Sequence, residues 1–249
     1  MNTPDHFTPV ARQYAEFRPT YPTALFDWLA SLTPQHELAW DCGAGSGQAS
    51  VPLAARYQRV LATDLSAAQL AAAPPLDNVE YHTASAEDSN LPDQSCDLIV
   101  VAQALHWFDF EKFYGEVRRV LKLEGVIAVW GYSRLTLEQP AVQQALDVFY
   151  ENTIGAYWPA ERIHVENGYR DLPFPFTRIT PPIFALQATW QREQLLGYLR
   201  SWSAVGRFQA AHGYDPVADF NTQIAPHWPD DQPLTITWPL FLHAGRIRT

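Results

Sequence analysis

Short apolar runs alternate with amphipathic helical patterns between Glu37 and Tyr132. The runs are "LAWDCG", "RVLATD", "VEYHTA", "CDLIVVAQ" and "GVIAVWG". Between them, "SAAQLAAA" begins at Ser66 and "DFEKFYGEVRRVLK" begins at Asp109, and both residue types are favoured at the N-terminal cap of a helix. Strands that alternate with helices are typical of a parallel sheet with right-handed crossovers. The pattern therefore predicts a doubly wound α/β sheet whose ligand crevice lies at the carboxyl ends of the strands.

The pattern is less regular after Tyr132. Two long segments are helical, "PAVQQALDVFYENTIGAYW" and "QREQLLGYLRSWSAVGRF", whereas "WPAERIHVENGYRDLPFPF" is rich in aromatic residues and proline. The runs "PPIFALQATW" and "LTITWPLFLHAGRIR" predict two further strands. Together with the first five they give a seven-stranded, mostly parallel sheet with helices on both faces and a C-terminal helical lid. No repeat and no flexible linker interrupts the chain, so we expect a single domain.

The composition narrows the class of protein. Of the 249 residues, 47% are hydrophobic, and a formal net charge of -10 disfavours nucleic acid and anionic membranes as partners. Cys42 and Cys96 are the only cysteines, so we expect reduced, buried thiols, and no spacing of cysteine and histidine indicates a metal site. No apolar stretch reaches the roughly 18 residues of a membrane span and the N-terminus lacks a signal-peptide pattern, so the predicted location is cytoplasmic.

The segment "AWDCGAGSGQAS", residues 39–50, carries the first candidate chemistry. Gly43, Gly45 and Gly47 follow a predicted strand and tolerate the positive φ that lets a ligand approach the backbone. Asp64 ends the next strand, where a carboxylate can accept both hydroxyls of a ribose. Two simpler interpretations stay open: a tight turn for the glycines and a helix cap for Asp64. The G-x-G-x-G spacing and the lack of a Tyr-x-x-x-Lys pair argue against a nicotinamide-dependent oxidoreductase and favour a ligand without phosphates.

Several segments resemble motifs of the class I S-adenosylmethionine-dependent methyltransferases. "WDCGAGSGQAS" is similar to their first motif, "ATDLSAAQL" to their ribose motif, and "ASAEDSNLPDQSCDLIVVAQALHWFD" to their adenine segment and fourth strand. "FTPVARQYAEFRPTYP" and "YLRSWSAVGRF" resemble a subgroup related to trans-aconitate and other small-molecule methyltransferases. One departure is Leu123 and Glu124, where relatives commonly have proline and glycine. The resemblance implies a Rossmann-like fold, with S-adenosylmethionine as cofactor and S-adenosylhomocysteine as product.

The resemblance also implies roles for the matching residues. The backbone around the three glycines, with Asp41, would hold the methionine part of the cofactor, and Asp64 would hold the ribose. The other positions surround the adenine: Leu65 against its face, Ala86 and Glu87 at its edge, and Gln103 at the floor of the site. The methyltransferase domain then spans 1–249, with an N-terminal lid and first helix at 1–36, the cofactor-binding core at 37–134, and a substrate and lid region with the last two strands at 135–249.

The N-terminal segment folds over the cofactor in the subgroup that this chain resembles. Tyr14, Arg18 and Tyr21 are therefore the candidate residues that cover the cofactor. Arg18 lies in a proline-rich turn, where its guanidinium either pairs with the methionine carboxylate or bridges to an acidic neighbour at the surface.

Methyl transfer from a sulfonium depends on positioning and the exclusion of water and needs no nucleophilic side chain. His106 and Trp107 follow the fourth strand, beside the expected position of the methyl group. His106 either serves as the base for a hydroxyl or amine acceptor or only orders its loop, and Trp107 forms an aromatic wall near the sulfonium. The candidate acceptor-binding residues of the lid are Trp158, Tyr169, Trp202 and Arg207, with ordinary core packing as the alternative for the tryptophans.

The predicted function is S-adenosylmethionine-dependent methyl transfer to a small organic acceptor. A carboxylic acid held by Arg207 is one hypothesis for that acceptor. The alternative is a catalytically silent S-adenosylmethionine-binding regulatory protein that has kept the sheet and lost the acceptor site. We expect a small-molecule substrate and no nucleic-acid or membrane partner, and the sequence carries no signal for the oligomeric state.

Overall fold

The computed structural model describes residues 19–247, and these divide into two compact units. The sheet unit comprises Thr20–Ser133, Ile163–Ala185 and the described part of Leu240–Thr249. The helical unit comprises Pro19, Arg134–Arg162 and Leu186–Pro239.

The sheet unit is built on five parallel strands, in agreement with the alternating sequence pattern. They are β1 (Leu38–Cys42), β2 (Arg59–Asp64), β3 (Val79–Thr83), β4 (Cys96–Ala102) and β5 (Leu121–Tyr132). Hydrogen bonding gives the order β3-β2-β1-β4-β5. Every residue of β1 is buried, as expected for a central strand that is covered on both faces. The order reverses between β1 and β4, and the carboxyl ends of these two strands flank the crevice where such sheets bind ligands.

Four further strands are antiparallel or short. The last strand, β9 (Leu234–Arg246), is antiparallel to β5 and carries β7 (Thr177–Ile179) on its other edge. The strands β6 (Thr136–Leu137) and β8 (Ala185–Trp190) also pair with β9, so the described residues form a nine-stranded sheet rather than the predicted seven-stranded one. The prediction missed β6 and β7 because segments of two and three residues are too short to show an alternating pattern.

Two helices begin directly after the capping residues that were predicted for them, Ser66 and Asp109. Within the described part of the chain the helices are α1 (Thr23–Ser31), α2 (Ser50–Ala54), α3 (Ala67–Leu70), α4 (Phe110–Val120), α5 (Pro140–Val148), α6 (Arg162–Glu166), α7 (Arg192–Arg200), α8 (Ser203–His212) and α9 (Pro216–Ile224). The side chain of Ser66 accepts the Gln69 N–H at the start of α3, and Asp109 accepts the Lys112 N–H at the start of α4. The predicted α3 extends further than the observed one, because the N–H of Ala72 donates to a carbonyl three residues back and tightens the turn.

Two hydrophobic clusters cover the faces of the sheet. Successive residues of β4 alternate between them: Leu98 packs in the cluster that contains Phe26 of α1, and Ile99 packs in the cluster that contains Phe113 of α4. Cys42 is buried and unpaired like the second cysteine, as predicted. Burial on both faces fixes β1 and β4, and with them the loops that follow their carboxyl ends.

The helical unit contains α5 and α7–α9. The long helical segment predicted at 191–208 is interrupted, because the chain leaves α7 after Arg200 and starts α8 at Ser203. The segment predicted at 140–158 is helical in three pieces, since α5 continues into a π-type turn at Phe149–Thr153 and a 3-10 turn at Gly155–Tyr157. The role of these helices as a lid stays a prediction. Between residues 19 and 247, no helix has the length and apolar character needed to cross a membrane.

Candidate functional site

The three glycines of the loop after β1 all adopt the left-handed backbone conformation that was predicted for them. Their φ angles are 73° at Gly43, 56° at Gly45 and 81° at Gly47. A Cβ atom on Gly43 would lie 2.6 Å from the Cβ of Ala104, which belongs to the loop after β4. Glycine is therefore required at this position both by the backbone and by the close approach of the two loops.

The carboxylate of Asp64 holds the glycine loop in place. Its Oδ2 accepts the N–H of Gly45 at 2.9 Å, and its Oδ1 accepts the N–H of Ser66 at 2.8 Å. The carbonyl of Thr63 accepts the N–H groups of Gly43 and Ala44. Because Ser66 supplies the helix cap itself, capping does not explain Asp64, and its side chain joins the end of β2 to the end of β1.

Asp41 is a fully buried acid in β1, two residues before the first glycine of the loop. Its Oδ2 accepts the hydroxyl of Ser50 at 2.6 Å, while its Oδ1 has no hydrogen-bond partner among the described residues. Burial raises the pKa of Asp41 to about 7, the hydroxyl of Ser50 opposes the rise and the charge of Asp64 adds to it. A buried acceptor without a partner is uncommon, and a cationic or hydrogen-bonding ligand would satisfy it.

The positions predicted around the adenine lie at the same edge of the sheet. Leu65 follows Asp64 and is 65% exposed although it is apolar, whereas Ala86 is buried. Glu87 accepts the N–H of Asp109 through Oε1 at 3.0 Å, so it ties the segment after β3 to the start of α4.

Gln103 has an unusual conformation at the end of β4. Its φ is 58°, in the left-handed region that a residue with a side chain seldom occupies. Its N–H donates to the carbonyl of Trp130 at 2.8 Å, while its buried Oε1 has no partner within residues 19–247. A Cβ on Gly131 would lie 2.4 Å from that oxygen, so a glycine in β5 makes room for the amide of Gln103.

His106 lies in a single 3-10 turn, Leu105–Trp107, directly after β4. Its Nδ1 is 2.7 Å from the hydroxyl of Tyr169, and its ring lies 4.8 Å from the ring of Trp107. Tyr169 itself is buried and has a φ of 55°. The structure therefore brings together three of the predicted residues, one from the catalytic set and two from the acceptor set, within the sheet unit.

The remaining predicted residues fall outside the described part of the chain or make contacts of their own. Tyr14 and Arg18 fall outside the described residues, and Tyr21 packs edge-on against Trp130 with ring centroids 5.6 Å apart. Trp158 and Trp202 pack together in the helical unit at 5.4 Å. In the same unit the guanidinium of Arg207 lies 3.5 Å from the carbonyl of Tyr157.

Sequence reasoning missed several partners of these residues. In the sequence, only its place in the glycine segment points to Ser50 as a partner of Asp41. Gly131 is one residue of an apolar strand pattern, which does not indicate its approach to Gln103. Two arginines of the helical unit that contact aromatic rings were also not predicted as site residues. Arg134 lies over the ring of Tyr150 at 3.9 Å, and Arg162 lies over the ring of Trp158 at 4.8 Å.

Comparison with known proteins agrees with this geometry. A family model described as a methyltransferase domain matches residues 40–129, which run from β1 into β5. A Dictyostelium discoideum protein described as a methyltransferase is 32% identical over 245 residues, a match that covers 96% of this chain and 93% of that protein. A solved structure described as a type II methyltransferase from Anaeromyxobacter dehalogenans has a TM-score of 0.86 and 42% identity, and the match covers 92% of this chain and 97% of that one.

A Saccharomyces cerevisiae protein described as an S-adenosylmethionine-dependent methyltransferase is 27% identical over 147 residues, which covers 55% of this chain and 50% of that protein. S-Adenosylmethionine, the cofactor of this family, fits the residues present, because the left-handed glycines leave the backbone open and the buried Oδ1 of Asp41 lacks a partner in the described chain. On its sequence, its sheet topology and its relatives, this chain belongs to the class I S-adenosylmethionine-dependent methyltransferases.

Proposed function

We propose that this enzyme transfers the methyl group of S-adenosylmethionine to a small organic acceptor. The contact between the glycine loop and the loop that bears His106 carries the proposal, since Gly43 and Ala104 approach too closely for a side chain on the glycine. Ala104 thus lies against the glycine loop, and His106, whose imidazole can accept a proton, follows Ala104 by two residues. The net charge of -10 supports a small acceptor over a nucleic acid.

The cofactor would be held along the carboxyl ends of β1, β2 and β4. Asp41 and the backbone of the glycine loop would hold the methionine part, and Asp64 would accept the ribose hydroxyls. The adenine would contact the remaining predicted positions, Leu65, Ala86, Glu87 and Gln103. When bound, S-adenosylmethionine supplies an electrophilic methyl group on a sulfonium. The chain's own residues bind the two reactants, orient them and exclude water.

Two side chains support different classes of acceptor. His106 suits a hydroxyl or an amine, which must lose a proton when it is methylated. Arg207 suits a carboxylate, which is already anionic at neutral pH and needs a positive partner instead of a base. Within the described part of the chain Arg207 forms no ion pair, and its one hydrogen bond there runs to a backbone carbonyl at 3.5 Å. A carboxylic acid is therefore the second candidate acceptor.

The test is formation of S-adenosylhomocysteine by the purified protein with a panel of phenols, amines, and di- and tricarboxylic acids. With a hydroxyl or amine acceptor, we expect His106→Ala to lower turnover by roughly a hundredfold or more. With a carboxylic acid, we expect Arg207→Ala to raise KM and His106→Ala to leave turnover nearly unchanged. His212→Ala and Arg200→Ala are the matched controls, because each removes a side chain of the same type that already has a partner in the chain. His212 is hydrogen-bonded to Tyr157, and Arg200 pairs with Asp215.

The result that would contradict the proposal is cofactor binding by calorimetry without product from any acceptor in the panel. That outcome would favour the silent cofactor-binding protein. Binding of S-adenosylmethionine and its product is thus measured separately from turnover.

A further inference from the structure

The carboxyl group of Asp41 lies in surroundings that suit an uncharged group. Asp41 is fully buried in β1, and the residues directly opposite it on the neighbouring strands, Ala62 and Val100, are buried and apolar. Its Oδ2 accepts the hydroxyl of Ser50 at 2.6 Å, while its Oδ1 has no hydrogen-bond partner within residues 19–247. An ionised carboxylate that is buried without a cation is costly, so such a group takes up a proton instead.

The titratable groups around Asp41 supply no positive charge. Asp64, at the end of β2, is a second acid whose charge opposes the ionisation of Asp41. Burial and the charge of Asp41 raise the pKa of both Tyr81 in β3 and Cys42 in β1, so these two groups stay neutral. Glu87 adds a further negative charge near the thiol of Cys42. Burial is the largest cause, and on balance these surroundings raise the pKa of Asp41 to about 7.

Asp41 also lies close to the expected position of the cofactor. It precedes Gly43, the first left-handed residue of the glycine loop, by two residues. In the proposed function this loop holds the methionine part of S-adenosylmethionine, which carries an ammonium and a sulfonium. A positive charge near a carboxyl group favours its ionised form. At an effective dielectric constant of about 20, one unit charge at about 6 Å lowers the pKa of a carboxyl group by about two.

We propose that Asp41 is protonated in the free protein below neutral pH and loses this proton when S-adenosylmethionine binds. The O–H bond of the carboxyl group breaks, its electron pair stays on the carboxylate, and the proton passes to the buffer. This inference rests on the proposed function and adds a dependence of cofactor binding on pH. Because protons and the cationic cofactor compete at this site, binding weakens as the pH falls through the pKa of the free protein.

The first test is calorimetric titration of the full chain with S-adenosylmethionine at about pH 6.5, in two buffers with different heats of ionisation. The difference between the two heats gives the number of protons released, and we expect about 0.7 per cofactor bound. The α-amino group of the cofactor is already charged at this pH, because its ordinary pKa is about 8. The released proton therefore comes from the protein.

Asp41→Asn keeps an acceptor oxygen for the hydroxyl of Ser50 but has no proton to lose, so we expect it to abolish this release. Asp97→Asn is the matched control. Asp97 is also a buried acid of the sheet, but it pairs with Lys122 at 2.8 Å, so we expect its variant to release protons as the wild type does. Measured against Asp41→Asn, the affinity of the wild type should be about tenfold weaker at pH 6 than at pH 8.

The second test needs no cofactor. Carbon NMR of the chain labelled with ¹³C-aspartate follows each carboxyl carbon with pH, and Asp41→Asn identifies the signal of Asp41. We expect this signal to titrate with a midpoint of about 7 in the free protein. Addition of S-adenosylmethionine at about pH 6.5 should then move it to the position of an ionised carboxylate.

Titration with S-adenosylhomocysteine identifies the responsible charge, since the product keeps the ammonium and lacks the sulfonium. Proton release with both compounds assigns the effect to the ammonium, release with S-adenosylmethionine alone assigns it to the sulfonium, and either result supports the inference. Binding without proton release would overturn it, and so would equal release from Asp41→Asn or a carboxyl signal that titrates near pH 4. A failure of the proposed function is seen instead as absent cofactor binding at both pH 6.5 and pH 8.

Discussion

Replacing Asp41 by asparagine should make the protein more stable at neutral pH. The side chain is fully buried, and burial raises its pKa from 3.8 to about 7, with the Ser50 hydroxyl opposing the rise and the Asp64 charge adding to it. Because the folded pKa lies above the unfolded one, the native state holds a proton that the unfolded chain releases between about pH 4 and pH 7. The contribution of Asp41 to stability is therefore greatest at low pH and falls as the pH rises through this window.

The size of the effect follows from the same pKa values. Each pH unit between them corresponds to about 1.4 kcal/mol, so a rise from 3.8 to about 7 corresponds to about 4 kcal/mol of unfolding free energy that is lost by pH 8. Asparagine keeps an acceptor oxygen for the Ser50 hydroxyl and carries no charge at any pH. We expect Asp41→Asn to gain up to about 4 kcal/mol over the wild type at pH 8 and little at about pH 4.

Equilibrium urea unfolding of both proteins at about pH 4 and pH 8 measures this difference, and other titrating groups cancel between the two proteins. Asp97→Asn is the matched control. Asp97 is also a buried acid, but it pairs with Lys122 at 2.8 Å and accepts two backbone N–H groups. We expect that variant to lose stability at pH 8, because it leaves Lys122 without its buried partner. A wild type that is as stable as Asp41→Asn at pH 8 would refute the reasoning.

Two further substitutions test the site. Asp64→Ala should weaken binding of S-adenosylmethionine by roughly a hundredfold or more, since two charge-assisted hydrogen bonds to the ribose are lost. Calorimetry measures the affinity, with Asp88→Ala as the control, and equal affinities of the wild type and Asp64→Ala would contradict the ribose assignment. Gly131→Ala should lower the unfolding free energy by about 1–3 kcal/mol, because its Cβ would lie 2.3 Å from the ring of Phe241. Gly115→Ala, which meets nothing within 4 Å in α4, should instead raise it by up to about 1 kcal/mol, and equal losses in both variants would contradict the packing argument.

The parts of the fold that the sequence predicts are those that local physics determines. Ser66 and Asp109 cap their helices because a short polar side chain satisfies a free N–H within three residues. The central strands show near-continuous apolar runs because the sheet is covered on both faces. The positive φ of Gly43 follows from the need of the chain to turn sharply between β1 and α2.

Contacts between distant segments leave no such local signal. Tyr169 was predicted only as a member of an aromatic lid, and neither its left-handed backbone nor its bond to His106 follows from the residues around it. The strand β7 is three residues long, and its pairing depends on the neighbouring strand rather than on its own pattern. Propensity and periodicity describe one element at a time, whereas these features arise only when the sheet is assembled.

The last strand explains how those distant segments meet. Phe241 stands directly opposite Gly131 in the antiparallel pairing of β9 with β5, and the missing side chain of the glycine leaves space for the aromatic ring. That ring packs against Tyr169, and Gly131 also leaves space for the amide of Gln103, three residues before His106. A glycine that would only weaken a strand by itself thus permits both left-handed residues to be held in place. The antiparallel strand consequently has a role beyond closing the sheet, because its Phe241 packs against Tyr169, which is hydrogen-bonded to the candidate base His106.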